Sequence, residues 1–348
     1  MKFFIPGGAG YIGTHISSML IDNGHDVVIL DNFSNSSISS IYAIEKLVNR
    51  QVTFYKGDIC DHQMLLKIFE SHKFNAVIHL AALKSVAESI LKPKEYYQNN
   101  VGGTLSLLEV MRSFDLKNLI FSSSATVYGI PQYLPIDESH PLSSTNPYAN
   151  TKLEIEKILQ EISTNDKGWS IVSLRYFNPV GAHESHLIGD SPRNIPNNLM
   201  PYLVSVANKE LPHLNIYGND YDTDDGTGIR DYIHVMDLAE SHLIAMNFIG
   251  IKTKNNKLTN PSNLKTGFNF FNIGTGKGCS VLELVKIFEQ VNGVEIPYVF
   301  APRRPGDVPS CYANVDKSHK SFQWIAERSI EEMCQSAWNY KKYKNYGK

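Results

Sequence analysis

The sequence predicts an α/β protein, a doubly wound parallel sheet followed by a smaller α/β unit, on three observations. Short apolar runs alternate with helical spacings through the first half. A glycine-rich turn joins the first run to the first helix. After about Arg175 that rhythm gives way to proline and glycine punctuation.

The runs are Phe3 to Pro6, Val27 to Leu30, Val52 to Tyr55, Ala76 to Leu80, Leu119 to Phe121 and Ile171 to Leu174. They are short, continuous and rich in β-branched or aromatic residues, the pattern of strands buried on both faces. Between them Ile12, Ile16, Met19 and Leu20 share one helical face, and Gly24 marks its stop. Leu65, Ile68 and Phe69 repeat the spacing, as do Leu105, Leu108 and Met111. Residues 1–175 are therefore read as one domain and 176–348 as a second, with crossing between them allowed. The second half carries Pro179, Pro192, Pro196, Pro201 and Pro212 and a polar, acidic stretch from Asn219 to Gly228. A strand near Phe268 to Ile273 and a helix at Val281 to Val291 read there as a second small α/β pattern. Lys252 to Lys265 reads as an exposed loop or insertion.

Composition limits the function. The chain has 348 residues, 42% hydrophobic and 20% charged, with a net charge of -2. No strong field draws it to nucleic acid or an anionic membrane. Its four cysteines, Cys60, Cys279, Cys311 and Cys334, form no CxxC pair or zinc spacing and read as reduced thiols. The opening MKFFIPGG is too short in apolar residues for a signal peptide, and no run reaches the length of a membrane span. A cytoplasmic protein is expected.

Gly7, Gly10 and Gly13 stand between the first strand and the first helix, the place of a Rossmann-type dinucleotide turn. Such a turn lets a pyrophosphate approach backbone N–H groups at a helix N-terminus. Asp31 ends the second strand, where a carboxylate accepts from ribose hydroxyls and repels a 2′-phosphate, so NAD is expected over NADP. Asp58 reads either as a contact at the adenine end or as the cap of the next helix. Pro6 removes one backbone donor at the entry to the turn, which is still expected to form.

Tyr148 and Lys152, in NPYANTK, sit four apart on a helix expected to run to about Ile162, hence on one face. An ammonium and a positive nicotinamide nearby both favour phenolate, so the tyrosine is expected to be acidified into a base for an alcohol proton. FSSSATVYG supplies Ser122, Ser123, Ser124 and Thr126 at the end of the preceding strand. Ser124 is the one assigned to hold the reacting oxygen.

The strings GGAGYIG, DVVILDN, HLAALKSVAES, YYQNNVGGT, FSSSATVYG, NPYANTK, LRYFNPVGAH, IPNNLMPY, GTGIRDYIHVMDLA and APRRPGD run from residue 7 to 307. With them the chain resembles the extended short-chain dehydrogenase/reductase superfamily and, within it, the UDP-glucose 4-epimerase (UDP-galactose 4-epimerase) family. The resemblance implies that Tyr11, Ile12, Asp31, Asn32, Asp58, Ile59, Leu80, Ala81, Ala82, Lys84, Asn99, Ser122 and Phe177 contact NAD, with Tyr148 and Lys152. It implies a catalytic trio of Ser124, Tyr148 and Lys152. It assigns Asn178, Asn198, Leu199, Asn215, Ile216, Tyr217, Arg230, Arg304 and Asp307 to a UDP-sugar, together with Ser124 and Tyr148. Planar guanidinium forks suit a diphosphate, and amides suit sugar and uracil. It further implies reversible inversion at C4 through a 4-keto intermediate on a resident NAD, and a homodimer. Leu105, Leu108 and Met111, with the helix after Tyr148, read either as that dimer face or as core.

Two departures stand out. Pro6 replaces the family's usual Thr, and Cys311 occupies the position where a tyrosine in the family restricts substrates to UDP-glucose and UDP-galactose. A small residue there implies room for UDP-GlcNAc and UDP-GalNAc, beside the plainer reading of a small buried hydrophobe. Asp220, Asp222, Asp224 and Asp231 mimic calcium-loop spacing, but Gly226 falls one place late and the closing Glu is missing, so no metal is expected. Two alternatives are a 4,6-dehydratase or decarboxylase and a catalytically silent interaction module. Dehydratases of the superfamily carry an acidic pair after this serine, where the chain has Ala125 and Thr126, and the second alternative is at odds with an intact Tyr148 and Lys152.

Overall fold

A computed structural model describes residues 1–192, 196, 198–251, 266–304 and 306–346. The stretch expected to be a loop, 252–265, lies outside them. The main sheet contains β1 (Lys2–Pro6), β2 (Asp26–Asp31), β3 (Thr53–Lys56), β4 (Ala76–His79), β5 (Asn118–Ser124) and β6 (Ser170–Tyr176). A seventh strand, Gly267–Ile273, pairs parallel with β6 over its whole length. Across the sheet the order is 267–273, β6, β5, β4, β1, β2, β3, all parallel. The connections reverse direction between β1 and β4, so a crevice opens beyond the carboxyl ends of these strands.

The pleat divides the apolar residues between two cores. Phe3, Ile5, Val27, Ile29 and Val172 face a layer that includes Tyr11–Asp22 and Val235–Phe248. Phe4, Val28, Val77, Leu119 and Ile171 face His62–Ser71, Gly103–Ser113 and Pro147–Asn165. A third core gathers Leu203, Leu214, Ile216, Leu284, Phe288 and Trp338 around four short-stranded pairings and the helix Val281–Asn292. That helix begins on a capping box between Ser280 and Glu283.

Two expectations are corrected, and the choice left open for Leu105, Leu108 and Met111 is narrowed. The strand at 267–273 belongs to the main sheet, not to the second half's pattern, so the chain crosses back. Its partner, Ser170–Tyr176, lies far away in sequence, and no local spacing encodes that pairing. The run Val52 to Tyr55 is not buried on both faces, since only Val52 is buried and the strand formed is Thr53–Lys56. It is the sheet's outer edge, and Thr53, Phe54 and Lys56 are exposed. Leu108 and Met111 are core residues under the second layer, and of that trio only Leu105 is exposed, at 47%.

Phe271 is buried in the seventh strand against the rings of Phe248 and Phe322. Phe271→Ala is expected to cost about 3–5 kcal/mol in urea unfolding. A loss near zero would contradict the placement of this strand in the main core.

Candidate functional site

The turn after β1 forms despite Pro6. Gly7 donates its N–H to the Leu30 carbonyl at 2.8 Å, and Leu80 donates to the Pro6 carbonyl at 2.9 Å. Gly7 has φ +82°, and a Cβ there would stand 2.6 Å from the Ala81 nitrogen. A Cβ at Gly10 would meet a single atom, the Gly7 carbonyl oxygen at 3.3 Å, because that position opens on the cavity. Gly10 caps the helix Tyr11–Asp22 without a side-chain bond, leaving N–H groups for a ligand.

Asp31 is buried and ties the turn to the loop beyond β2. It accepts from the N–H of Ala9 at 3.1 Å, the N–H of Phe33 at 2.9 Å and the hydroxyl of Ser36 at 2.7 Å. Asp58 is not the cap of the following helix, because Asp61 accepts from the Met64 N–H at 3.0 Å there. Asp58 instead accepts from the Asn32 amide at 2.7 Å. Burial raises its carboxyl, but the bonds from Cys60 and Asn32 prevail and hold it below the usual range.

The trio assembles at the end of β5. The helix Pro147–Asn165 starts on the Asn146 side chain, which accepts from the Ala149 N–H at 2.9 Å, with Pro147 in its first turn. It runs three residues past the expected end at Ile162. Lys152 donates from Nζ to the Ser122 carbonyl at 2.6 Å, with Nζ 6.0 Å from the centre of the Tyr148 ring. Ser124 caps the short turn Ala125–Tyr128, accepting at Oγ from the N–H of Thr126 at 3.2 Å and its hydroxyl at 3.0 Å. Ser124 is therefore the strand-end cap, and it lines the same cavity as Tyr148 and Lys152.

Electrostatics here depart from expectation. Burial pushes the Tyr148 phenol up to about 12, with the Ser124 bond pulling the other way. Burial also draws the Lys152 ammonium down to about 7, against the pull of Glu156. The polypeptide by itself does not acidify Tyr148, because burial disfavours the phenolate more than Ser124 favours it. The positive charge of a bound nicotinamide would favour the phenolate.

Across the cavity, Arg304 lays its guanidinium 3.8 Å from the centre of the Tyr217 ring. Arg230 is braced by the carbonyls of Ile229 at 2.8 Å and Val308 at 2.9 Å, with Asp307 3.7 Å away. Asn215 donates to the Tyr202 hydroxyl at 3.5 Å. Cys311 pairs in register with Arg230 and lines the same space. Burial pushes its thiol up to about 11, so it lies there as a neutral, compact side chain. The acidic stretch is used structurally. Asp231 accepts from Thr275, Gly276 and Ala313, and Asp220 pairs with Arg303 at 2.7 Å.

One cavity of about 1810 Å³ joins these parts. Every assigned residue lines it except Asp58, which reaches it through Asn32. Drug-sized ligands occupy roughly 300–1,000 Å³, so this space suits two ligands end to end. Sequence reasoning missed Asp190 and Tyr340, which also line it. Neither belongs to a motif, and only the packing of the helix Ile330–Tyr346 against the 178–192 segment brings them in.

A family model described as GDP-mannose 4,6 dehydratase matches residues 4–337. The UDP-glucose 4-epimerase of Bacillus subtilis (strain 168) is 47% identical over 340 residues, covering 98% of this chain and 96% of that protein. The chain belongs to the UDP-glucose 4-epimerase family. The crystal structure of the family member from Bifidobacterium longum, in complex with NAD+ and UDP, matches with a TM-score of 0.93 at 45% identity, with both chains fully covered. The UDP-Glc/GlcNAc 4-epimerase from Campylobacter jejuni matches at 0.81 and 34% identity, covering 98% of this chain and 99% of that one.

Gly10→Val tests the dinucleotide end. A Cβ there makes one tight contact, 3.3 Å from the Gly7 carbonyl oxygen, and the rest of the side chain fills the space in front of the helix N-terminus. The variant is expected to fold and to be purified without NAD, measured as nucleotide released by acid. A full complement of bound NAD would contradict the assignment.

Proposed function

We propose that the chain reversibly inverts C4 of UDP-sugars, interconverting UDP-glucose and UDP-galactose and also UDP-GlcNAc and UDP-GalNAc, on an NAD that stays bound. The observation that carries this is the single cavity. The glycine turn, the trio Ser124, Tyr148 and Lys152, and the pair Arg230 and Arg304 all line it. Residues 1–175, with Phe177, serve the cofactor, and residues 176–348, with Ser124 and Tyr148, serve the UDP-sugar.

The residues present fit NAD. Gly10 leaves open the approach a pyrophosphate needs, and the Asp31 carboxylate stands at the end of β2 where a 2′-phosphate would be repelled. NAD, when bound, takes up the C4 hydride and gives it back. Tyr148 removes the C4 hydroxyl proton and later returns one. Ser124 donates to the same sugar oxygen, and the Lys152 charge favours phenolate. Arg230 and Arg304 grip the diphosphate while the sugar turns over, so the nucleotide contacts are firm and the sugar contacts loose. A dehydratase reading, raised by the family model's description, is disfavoured because Ala125, Thr126, Val127 and Tyr128 after Ser124 supply no acid to expel water.

A cytoplasmic setting and a homodimer belong to the same reading. The first is supported by four free cysteines. Among the described residues no helix is long and apolar enough to cross a membrane. The second is supported by exposed Tyr97, on a segment packed beside the helix Pro147–Asn165, and by exposed Leu105 on the helix that continues it.

Incubation with UDP-glucose and UDP-GlcNAc separately, without added NAD, is expected to give both C4-inverted products by NMR. Tyr148→Phe is expected to lower turnover by about 10³-fold with NAD retained. Cys311→Tyr is expected to lower UDP-GlcNAc turnover roughly tenfold or more while sparing UDP-glucose. Near-normal activity in the first variant would overturn the assignment of the base, and equal effects on both sugars in the second would overturn the role of Cys311.

A further inference from the structure

The catalytic helix carries a third ionisable group at the same spacing. Tyr148, Lys152 and Glu156 follow at intervals of four, along one face of Pro147–Asn165. Glu156 is 3% exposed. Its carboxylate is fixed at both oxygens. Oε1 accepts from Ser173 Oγ at 2.8 Å and Arg175 Nε at 3.1 Å, and Oε2 from Arg175 Nη2 at 2.6 Å. Arg175, 2% exposed, also donates to the Tyr128 hydroxyl at 2.9 Å, which donates to Asn272 Oδ1 at 2.6 Å. Its guanidinium carbon lies 4.4 Å from the centre of the Phe270 ring. The pair is thus a rigid dipole beneath the site, and its negative end is on the helix that bears Lys152.

Burying an ion pair stabilises a fold little, if at all. This one lies beside a buried ammonium that needs a counter-charge. Lys152 donates to the Ser122 carbonyl and lies 4.8 Å from the centre of the Phe121 ring. The other titratable groups around that helix are committed elsewhere. His79 of β4 is held neutral, drawn down to about 3 by burial and then by Lys152. Tyr176 of β6 bonds His242 at 2.5 Å. Tyr128 bonds Arg175 and Asn272, and Tyr96 and Glu88, from the segment packed on the helix's other side, bond each other at 3.1 Å. Glu156 is the carboxylate whose charge opposes the effect of burial on Lys152.

We propose that the Glu156–Arg175 pair is a positioning element of the catalytic trio, in which Glu156 supplies the buried counter-charge that keeps Lys152 protonated and so keeps Tyr148 within reach of its phenolate form. The inference rests on the reading of Tyr148 as the base. Its sign is definite. Without the anion Lys152 releases its proton at lower pH, Tyr148 loses its neighbouring cation, and the phenolate forms only at higher pH.

The test is the phenolate absorbance of the NAD-loaded protein titrated with pH, taken as the difference from Tyr148→Phe. Glu156→Gln keeps the shape and removes the charge. Its titration is expected to move up by about one pH unit, and the acidic limb of kcat to move with it, leaving KM for UDP-glucose little changed. Should Glu156→Gln leave Arg175 too poorly compensated to fold, the double variant Glu156→Gln/Arg175→Met removes both charges and is expected to shift the same way. An unshifted phenolate titration in the folded variant overturns the proposal. Inversion at C4 with an unshifted titration leaves the proposed function standing and ends this inference. A shifted titration in a protein that inverts no UDP-sugar does the reverse.

Discussion

Lys152, 3% exposed, donates to the Ser122 carbonyl at 2.6 Å, and much of the site follows from that bond. It pins the helix Pro147–Asn165 to the end of β5. Since β5 also delivers Ser124, in register with Tyr176 of β6, the same bond sets Tyr148 against Ser124. An ammonium taken out of water is costly unless compensated. The ring of Phe121, the Ser122 carbonyl and the anionic end of the Glu156–Arg175 pair surround this one.

The sheet explains why two ligands share one cavity. Its strands all point their carboxyl ends at the same crevice, and the reversal between β1 and β4 opens it beside the glycine turn. The opposite wall comes from the second half of the chain. There Asp231, whose spacing resembles part of a calcium loop, is a buried scaffold that accepts four hydrogen bonds and so fixes the strand bearing Arg230 beside Cys311.

How much of this could be read in advance depended on the range of each interaction. The Gly7–Gly13 turn, Asp31 and the Tyr148–Lys152 spacing are local patterns, and the structure forms the turn and the helix they imply. Pro6 costs one donor, yet the turn's own bonds from Gly7 and Leu80 remain. Pairing was not readable. Nothing near Gly267–Ile273 says that it completes the first sheet, and nothing in Thr53–Lys56 says that it lies at the edge. Paired buried charges were invisible for a related reason. Glu156 and Arg175 look like surface residues until β6 is laid under the helix. The acidity expected for Tyr148 was argued from charge alone, without the desolvation that the fold imposes.

The central claim is that one tightly held NAD takes the hydride from C4 and returns it to the same carbon from the other face. The most direct measurement is turnover of UDP-glucose deuterated at C4, by purified protein with no added NAD, in ordinary water. The account predicts UDP-galactose with the deuterium retained at C4. Loss of the label to solvent, or dependence of the reaction on added NAD, would contradict it.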